Sequence, residues 1–218
     1  MTINNNADNN ISVVLAGGGG HALSLMEAAG DDIRVVGYTA LSESESMPVK
    51  WLGNDSAVTE LASFGILFHI AFVYAGLPVM KKRKKMIDEY TAAGARFLSI
   101  ISPSAIITDH SSIGEGCAVL HRAVINRAHL GDHVVVNTGA IVEHDCRIGS
   151  NSFIGPGAVI GGGVTIGDDC FIGLGARVMN GVSIASGVTV GIGVTVNRDL
   201  TEPGIYHGTP MRFHRGRH

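Results

Sequence analysis

An aliphatic residue returns at every sixth position through nearly half of this chain. It stands at Ile107, Ile113, Val119 and Ile125, then at Leu130, Val136, Val142, Ile148, Ile154, Ile160, Ile166, Ile172, Val178, Ile184, Val190 and Val196. One step alone, from Ile125 to Leu130, is five residues. A helix needs a period near 3.6 and a half-buried strand a period of 2, so a sustained period of six predicts a solenoid of hexapeptides. Each hexapeptide is a short strand and a tight corner, with the aliphatic residue inward and Gly, Asn or Asp taking the turn. Three such edges close one coil, and residues eighteen apart stack about 4.8 Å from coil to coil. The sixteen repeats then make a little over five coils, a prism roughly 25 Å tall.

The position two before each aliphatic residue is usually small, and all three cysteines, Cys117, Cys146 and Cys170, fall on it. They read as buried fillers in a reducing compartment, since no CxxC spacing suggests a metal or redox pair. A formal net charge of -3 gives no general attraction to nucleic acid or to an anionic membrane. The most apolar stretch, residues 65–80, is interrupted by His69, Gly76 and Pro78 and is short for a membrane span. The first ten residues are Asn-rich and carry no basic residue ahead of the first apolar run, unlike a secretory leader, so the expected location is cytoplasmic.

Before the repeat, the pattern is that of a small α/β domain. Residues 1–10 read as a polar disordered tail, 11–16 as a buried strand, Gly17-Gly18-Gly19-Gly20 as a tight loop, 21–29 as a helix and 33–38 as a second strand. A glycine loop entering a helix N-terminus can hold a phosphate on free N–H groups, although a plain tight turn explains it equally well. A short helix over 58–64, a strand over 66–73 and a helix over 80–94 follow. On that last helix Lys81-Lys82-Arg83-Lys84-Lys85 reads as a solvated face. The expected division is a Rossmann-like domain over 11–101, a solenoid over 102–200 and an irregular tail over 201–218. The first domain is expected to cover one end of the solenoid.

The chemistry concentrates in Asn137-Thr138-Gly139-Ala140-Ile141-Val142-Glu143-His144-Asp145-Cys146. His144 lies at a predicted corner, flanked by Glu143 and Asp145. A carboxylate on one ring nitrogen would fix the tautomer and leave the other nitrogen to accept a proton, although an ordinary loop histidine is also compatible. Eighteen residues on stands Gly162, within Gly161-Gly162-Gly163, which should leave room for a ligand and an open backbone N–H above this corner. The five-residue step should pinch the corner just below His144. His69, within an apolar strand, reads as a satisfied core histidine. His110, His121, His129 and His133 are spread over the early coils without paired ligand spacing.

These motifs, with Gly17-Gly18-Gly19-Gly20-His21-Ala22, Ser102-Pro103-Ser104-Ala105 and Gly208-Thr209-Pro210, carry a resemblance over about residues 11–212. The chain resembles bacterial nucleotide-sugar N-acetyltransferases of the hexapeptide family, including the enzymes acetylating UDP-4-amino-4,6-dideoxy sugars. The resemblance implies a left-handed parallel β-helix after the Rossmann-like domain, a homotrimer with active sites between prisms, acetyl-CoA along the solenoid and no metal. It implies His144 as general base, Asp145 as its support and Asn137 in the active-site cleft. Gly19, Gly20 and His21 would meet the nucleotide-linked amino sugar. Phe153, Gly162, Gly173, Leu174 and Ile192 would lie toward the coenzyme, with the Gly162 N–H on the thioester carbonyl.

Two departures from the family pattern stand out. Many relatives end the second strand with consecutive aspartates that contact the nucleotide, where this chain has Gly37-Tyr38-Thr39-Ala40-Leu41, so UDP, dTDP and GDP all remain open. Phe153 stands where some relatives place a second histidine near acetyl-CoA. The competing readings are O-acetylation of a sialic-acid-type sugar, a zinc carbonic anhydrase built from histidines of two subunits, and a non-catalytic nucleotide-sugar binder.

Overall fold

The computed structural model describes residues 11–73, 77–208 and 212–214, the segments 77–79 and 212–214 by backbone alone. The polar tail expected over 1–10 lies outside the described residues. The chain begins with β1 (Ile11–Ala16), α1 (Gly20–Ala28), β2 (Ile33–Thr39), α2 (Val58–Ser63), β3 (Leu67–Ile70), α3 (Leu77–Ala92) and β4 (Arg96–Phe97). Its four strands form a parallel sheet in the order β2-β1-β3-β4. The pleat sorts the side chains: Val14, Ala16, Phe68 and Ile70 pack with Tyr90 and Ile87 of α3, while Leu15 packs with Ala22 and Leu25 of α1. Burial on both faces explains why these strands are continuous apolar runs.

Most boundaries lie within two residues of the expectation, and two differ by three. The strand expected over 66–73 covers only Leu67–Ile70, and α3 starts three residues before residue 80. Pro78 lies in its first turn, where a missing N–H breaks no helical hydrogen bond.

The repeat folds into three parallel sheets, each strand pairing with the one a full coil later. Val135 pairs with Phe153, Ile141 with Val159 and Arg147 with Thr165, all eighteen apart. Pairs that span the short step, such as Val124 with Ile141, are seventeen apart. The inward aliphatic column from Val119 to Val196 is buried, together with the three free cysteines. Pairing in the prism already includes Ile100–Ile101, two residues before the expected start.

The three outer faces differ in chemistry. One presents Ser112, His129, Arg147, Thr165 and Ser183 and is polar. A second presents Ile106, Val124, Ile141 and Val159, an apolar stripe in which Ile106 is 60% exposed, and then Arg177 and Thr195, which end the stripe. The third presents Ile100, Ala118, Val135, Phe153 and Phe171, all buried in one cluster with Leu25, Ala28 and Tyr38. The α/β domain therefore lies along the side of the prism rather than over one end, because this face alone offers a continuous apolar surface with matching aromatic bulk. The tail is not irregular either: Gly204–His207 pairs parallel with Val188–Val190, and Arg212–His214 pairs antiparallel with Gly204–His207. These strands extend the third face past the last coil. Among the described residues no helix is long and apolar enough to cross a membrane.

Candidate active site

His144 projects from the corner between the apolar-striped and polar faces, with 56% of its side chain exposed. Its Nδ1 lies 2.8 Å from Asp145 Oδ2. An ionised carboxylate only accepts, so Nδ1–H donates to it and Nε2 carries the lone pair. This hydrogen bond, ahead of every other influence, holds the Asp145 carboxyl below its ordinary range. Asp145 sits at φ 60°, a left-handed turn position that Asp tolerates better than most side chains. Glu143 does not support the ring: its carboxylate accepts from Asn126 Nδ2 at 2.9 Å and from the His144 backbone N–H at 3.4 Å.

The coils above and below set the ring's place. Below, residues 126–128 make a three-residue corner where this one has four: Asn126 N–H donates to Val142 O, and Asp145 N–H donates to Arg127 O. His144 therefore has no residue of its own beneath it, which is the structural meaning of the five-residue step. Above, a Cβ on Gly162 would fall 2.6 Å from both Nε2 and Cε1 of the ring. The room left by Gly162 is thus filled by the imidazole itself, and Gly162 is buried under it, which corrects the expectation of ligand space there. The Gly162 N–H donates to no partner among the described residues.

The other expected site residues fall into separate groups. Asn137, Gly173, Leu174 and Ile192 share the next corner, between the covered and apolar-striped faces. The five or so residues of edge between that corner and His144, at about 3.3 Å each, hold the two roughly 16 Å apart. Leu174 and Ile192 are 52% and 75% exposed. Asn137 Oδ1 accepts from Thr138 N–H at 2.7 Å. Gly173 is buried, and a Cβ there would meet Gly191 backbone carbon at 2.7 Å, so coil stacking by itself demands glycine. Phe153 is displaced from its expected role: it is 6% exposed and stacks on Phe171 at 4.9 Å inside the interdomain cluster. An apolar ring on the covered face is worth more as interdomain packing than as an exposed coenzyme contact.

On the α/β domain, Gly19 and Gly20 are exposed with nothing within 4 Å of an added Cβ. Gly19 caps α1 without a side-chain cap bond and no acidic residue stands in the first turn; Ala22 and Leu23 N–H already donate to Gly19 O, which leaves the N–H groups of Gly20 and His21 to face an anion. Gly18 by contrast is packed under the Tyr38 ring. His21 is half-buried, with Nε2 sealed from solvent, and burial, aided by the charge of Arg83, pulls its pKa down to about 4. The end of β2 lacks an acidic residue in sequence, yet Tyr90 donates to Asp55 at 2.7 Å and pairs with Thr39 at 2.8 Å. A carboxylate thus reaches the strand end from a loop sixteen residues on, which no local motif announces.

Four further histidines are engaged separately, while His110 is exposed on the first coil. His69 is fully buried with Nδ1 2.9 Å from Leu98 O, His121 Nδ1 pairs with Ser102 at 2.8 Å, His129 Nδ1 with Ser112 at 2.7 Å, and His133 is buried against Phe97. Among the described residues of one chain, no three His, Cys, Asp or Glu gather in a metal-binding group. Burial pushes the thiols of Cys117 and Cys170 up to about 11.

A stacked hexapeptide prism with a carboxylate-backed imidazole on one corner defines a hexapeptide-repeat transferase, and comparison with known proteins narrows this. Residues 127–162 match the family described as bacterial transferase hexapeptide (six repeats), and 163–198 match the hexapeptide repeat of succinyl-transferase. The chain is similar over 93% of its length to PerB from Caulobacter crescentus, solved in complex with CoA and GDP-perosamine, at 32% identity and TM-score 0.80, covering 97% of that chain. It is similar over 94% of its length to the acetyltransferase domain of PglB from Neisseria gonorrhoeae in complex with acetyl coenzyme A, at 26% identity and TM-score 0.83, covering 99% of that chain. WeeI from Acinetobacter baumannii, 16% identical at TM-score 0.51 over 93% of this chain and 99% of that one, shares the fold. The chain belongs to the nucleotide-sugar N-acetyltransferases of the hexapeptide family and is an acyltransferase.

Proposed function

We propose that the protein transfers the acetyl group of acetyl-CoA to the amine of a nucleotide-linked amino sugar, with His144 as general base and no covalent acyl-enzyme. The observation that carries this reading is the 2.8 Å contact between His144 Nδ1 and Asp145 on an exposed corner, which leaves Nε2 free to take a proton. The neutral amine attacks the thioester carbonyl and a C–N bond forms. Nε2 accepts the proton that the nitrogen sheds, the C–S bond breaks, and the proton passes on to the departing thiolate. The Gly162 N–H is the candidate donor to the oxyanion. The high thiol pKa values of the buried cysteines support a route without a cysteine nucleophile.

One prism does not bring Asn137, Leu174 and Ile192 to His144. A homotrimer would supply this second corner from a neighbouring protomer, and the apolar stripe between the two corners is the surface it would cover. The α/β domain occupies another face, and the remaining one is polar. The glycine loop and α1 N-terminus would receive the diphosphate. A GDP-linked sugar leads the candidates because PerB was solved with GDP-perosamine.

The test follows free thiol release from acetyl-CoA with GDP-, UDP- and dTDP-linked amino sugars, and with free sialic acid. Turnover on a nucleotide-linked amino sugar is expected, with kcat falling about 10²–10⁴-fold in His144→Ala and a solution mass near three times 22.7 kDa. Acetylation of a free sugar hydroxyl alone, or a fully active His144→Ala, would reject the assignment.

A further inference from the structure

The basic run of α3 is not uniformly solvated. Lys81, Lys82, Lys84 and Lys85 are exposed, but Arg83 between them is 1% exposed. It crosses the interdomain junction and donates through Nη1 to His133 O at 2.9 Å and to Asn151 Oδ1. Asn151 Nδ2 returns the tie, donating to Met80 O on α3 at 3.1 Å and to Asp169 Oδ1 on the next coil at 2.7 Å. His133, Asn151 and Asp169 all take left-handed backbone at φ 57°, 55° and 57°. They form a ladder up one corner, and Arg83 plugs into its lower rungs. The remaining groups facing this charge are His21 of α1, His69 of β3, Cys117 and Asp169.

A buried guanidinium is a poor choice for adhesion alone, since well-packed apolar residues usually hold an interface as firmly. Its use lies in direction. The apolar cluster that seats the α/β domain along the prism is non-directional and tolerates sliding, whereas two hydrogen bonds from the single nitrogen Nη1, one to a carbonyl and one to an amide oxygen, fix one registry. The glycine loop opens α1, and His21 in its first turn lies within electrostatic reach of Arg83. We propose that Arg83, through Asn151, is a positioning residue that locks the α/β domain in one register on the solenoid and so sets where residues 19–21 present the nucleotide sugar. Its kinetic consequence rests on the acyl-transfer reading above; its structural consequence does not.

The test uses full-length Arg83→Met, which keeps the volume and removes the guanidinium, and Asn151→Gly, which suits a left-handed position and removes the amide. Amide hydrogen exchange and steady-state kinetics are read on both. The expected result is faster exchange in α1 and α3 with the coils from Gly162 onward unchanged. KM for the nucleotide sugar should rise at least tenfold while KM for acetyl-CoA stays within twofold. Arg83→Lys, which keeps a charge and a single donor nitrogen, should recover part of that loss. Unchanged exchange and KM in both variants would overturn the proposal, as would exchange rising equally through the solenoid or both KM values rising together. If Arg83→Met does not fold, Asn151→Gly decides alone. A wild-type protein inactive on every sugar would sink the acyl-transfer reading and leave the exchange result to judge the lock.

Discussion

Replacing Gly162 by alanine isolates the feature on which the proposed chemistry depends. The backbone at Gly162 has no left-handed φ, so alanine fits the chain there and should gain roughly 0.4–1 kcal/mol by restricting the unfolded state. The new Cβ would lie 2.6 Å from His144 Nε2 and Cε1, which real contacts do not allow. The side chain that must yield is 56% exposed and can swing outward. That movement breaks its bond to Asp145, which contributes little to stability at such an exposed, solvent-screened site. The net change in stability is therefore within about 1 kcal/mol, or a few degrees in Tm for a chain of this size. Catalysis should suffer far more, because displacing a general base by about 1 Å can cost on the order of 10²-fold. The assay is kcat for Gly162→Ala, His144→Ala and the double variant, with Tm for each. The double variant should be no slower than His144→Ala, since the added methyl then has no ring to push. A wild-type kcat in Gly162→Ala, or a double variant slowed by the product of both factors, would refute the reasoning.

Two further outcomes follow from the same geometry. Asp145→Asn keeps a residue suited to φ 60° but offers an NH₂ to Nδ1, which favours the tautomer protonated on Nε2; kcat should fall about 10²–10⁴-fold with Tm nearly unchanged, and a loss under threefold would remove Asp145 from the mechanism. Burial lowers the pKa of His69 to about 3 and of His133 to about 4, so both are neutral when folded and the unfolded chain binds their protons first. Stability should be complete above about pH 6.5 and decline as pH falls toward 4, each histidine removing about 2 kcal/mol by pH 5. Denaturant midpoints that stay level between pH 7 and 5 would contradict this.

The solenoid was legible because its code is local. Each hexapeptide repeats one instruction, an inward aliphatic and a corner, and the register between coils follows from chain length alone. Val135 meets Phe153 and Ile141 meets Val159 simply because eighteen residues make one coil. The pairing of His144 with Asp145, neighbours in the chain on one corner, was readable for the same reason, and the short step at 125–130 was visible as a count. What the sequence did not announce depends on which surface meets which. Phe153 has the pattern of any outward residue, and only the docking of α1 along that face buries it. Arg83 sits in a run of lysines indistinguishable from it in charge, and only the arrival of His133 and Asn151 from fifty and sixty-eight residues away turns it inward. The space beneath Gly162 is open by sequence, and only the fold fills it with the imidazole of the preceding coil. Periodicity is a property of neighbours along the chain and survives in one dimension, while the contact of two finished surfaces depends on shape and charge that exist only once both have folded.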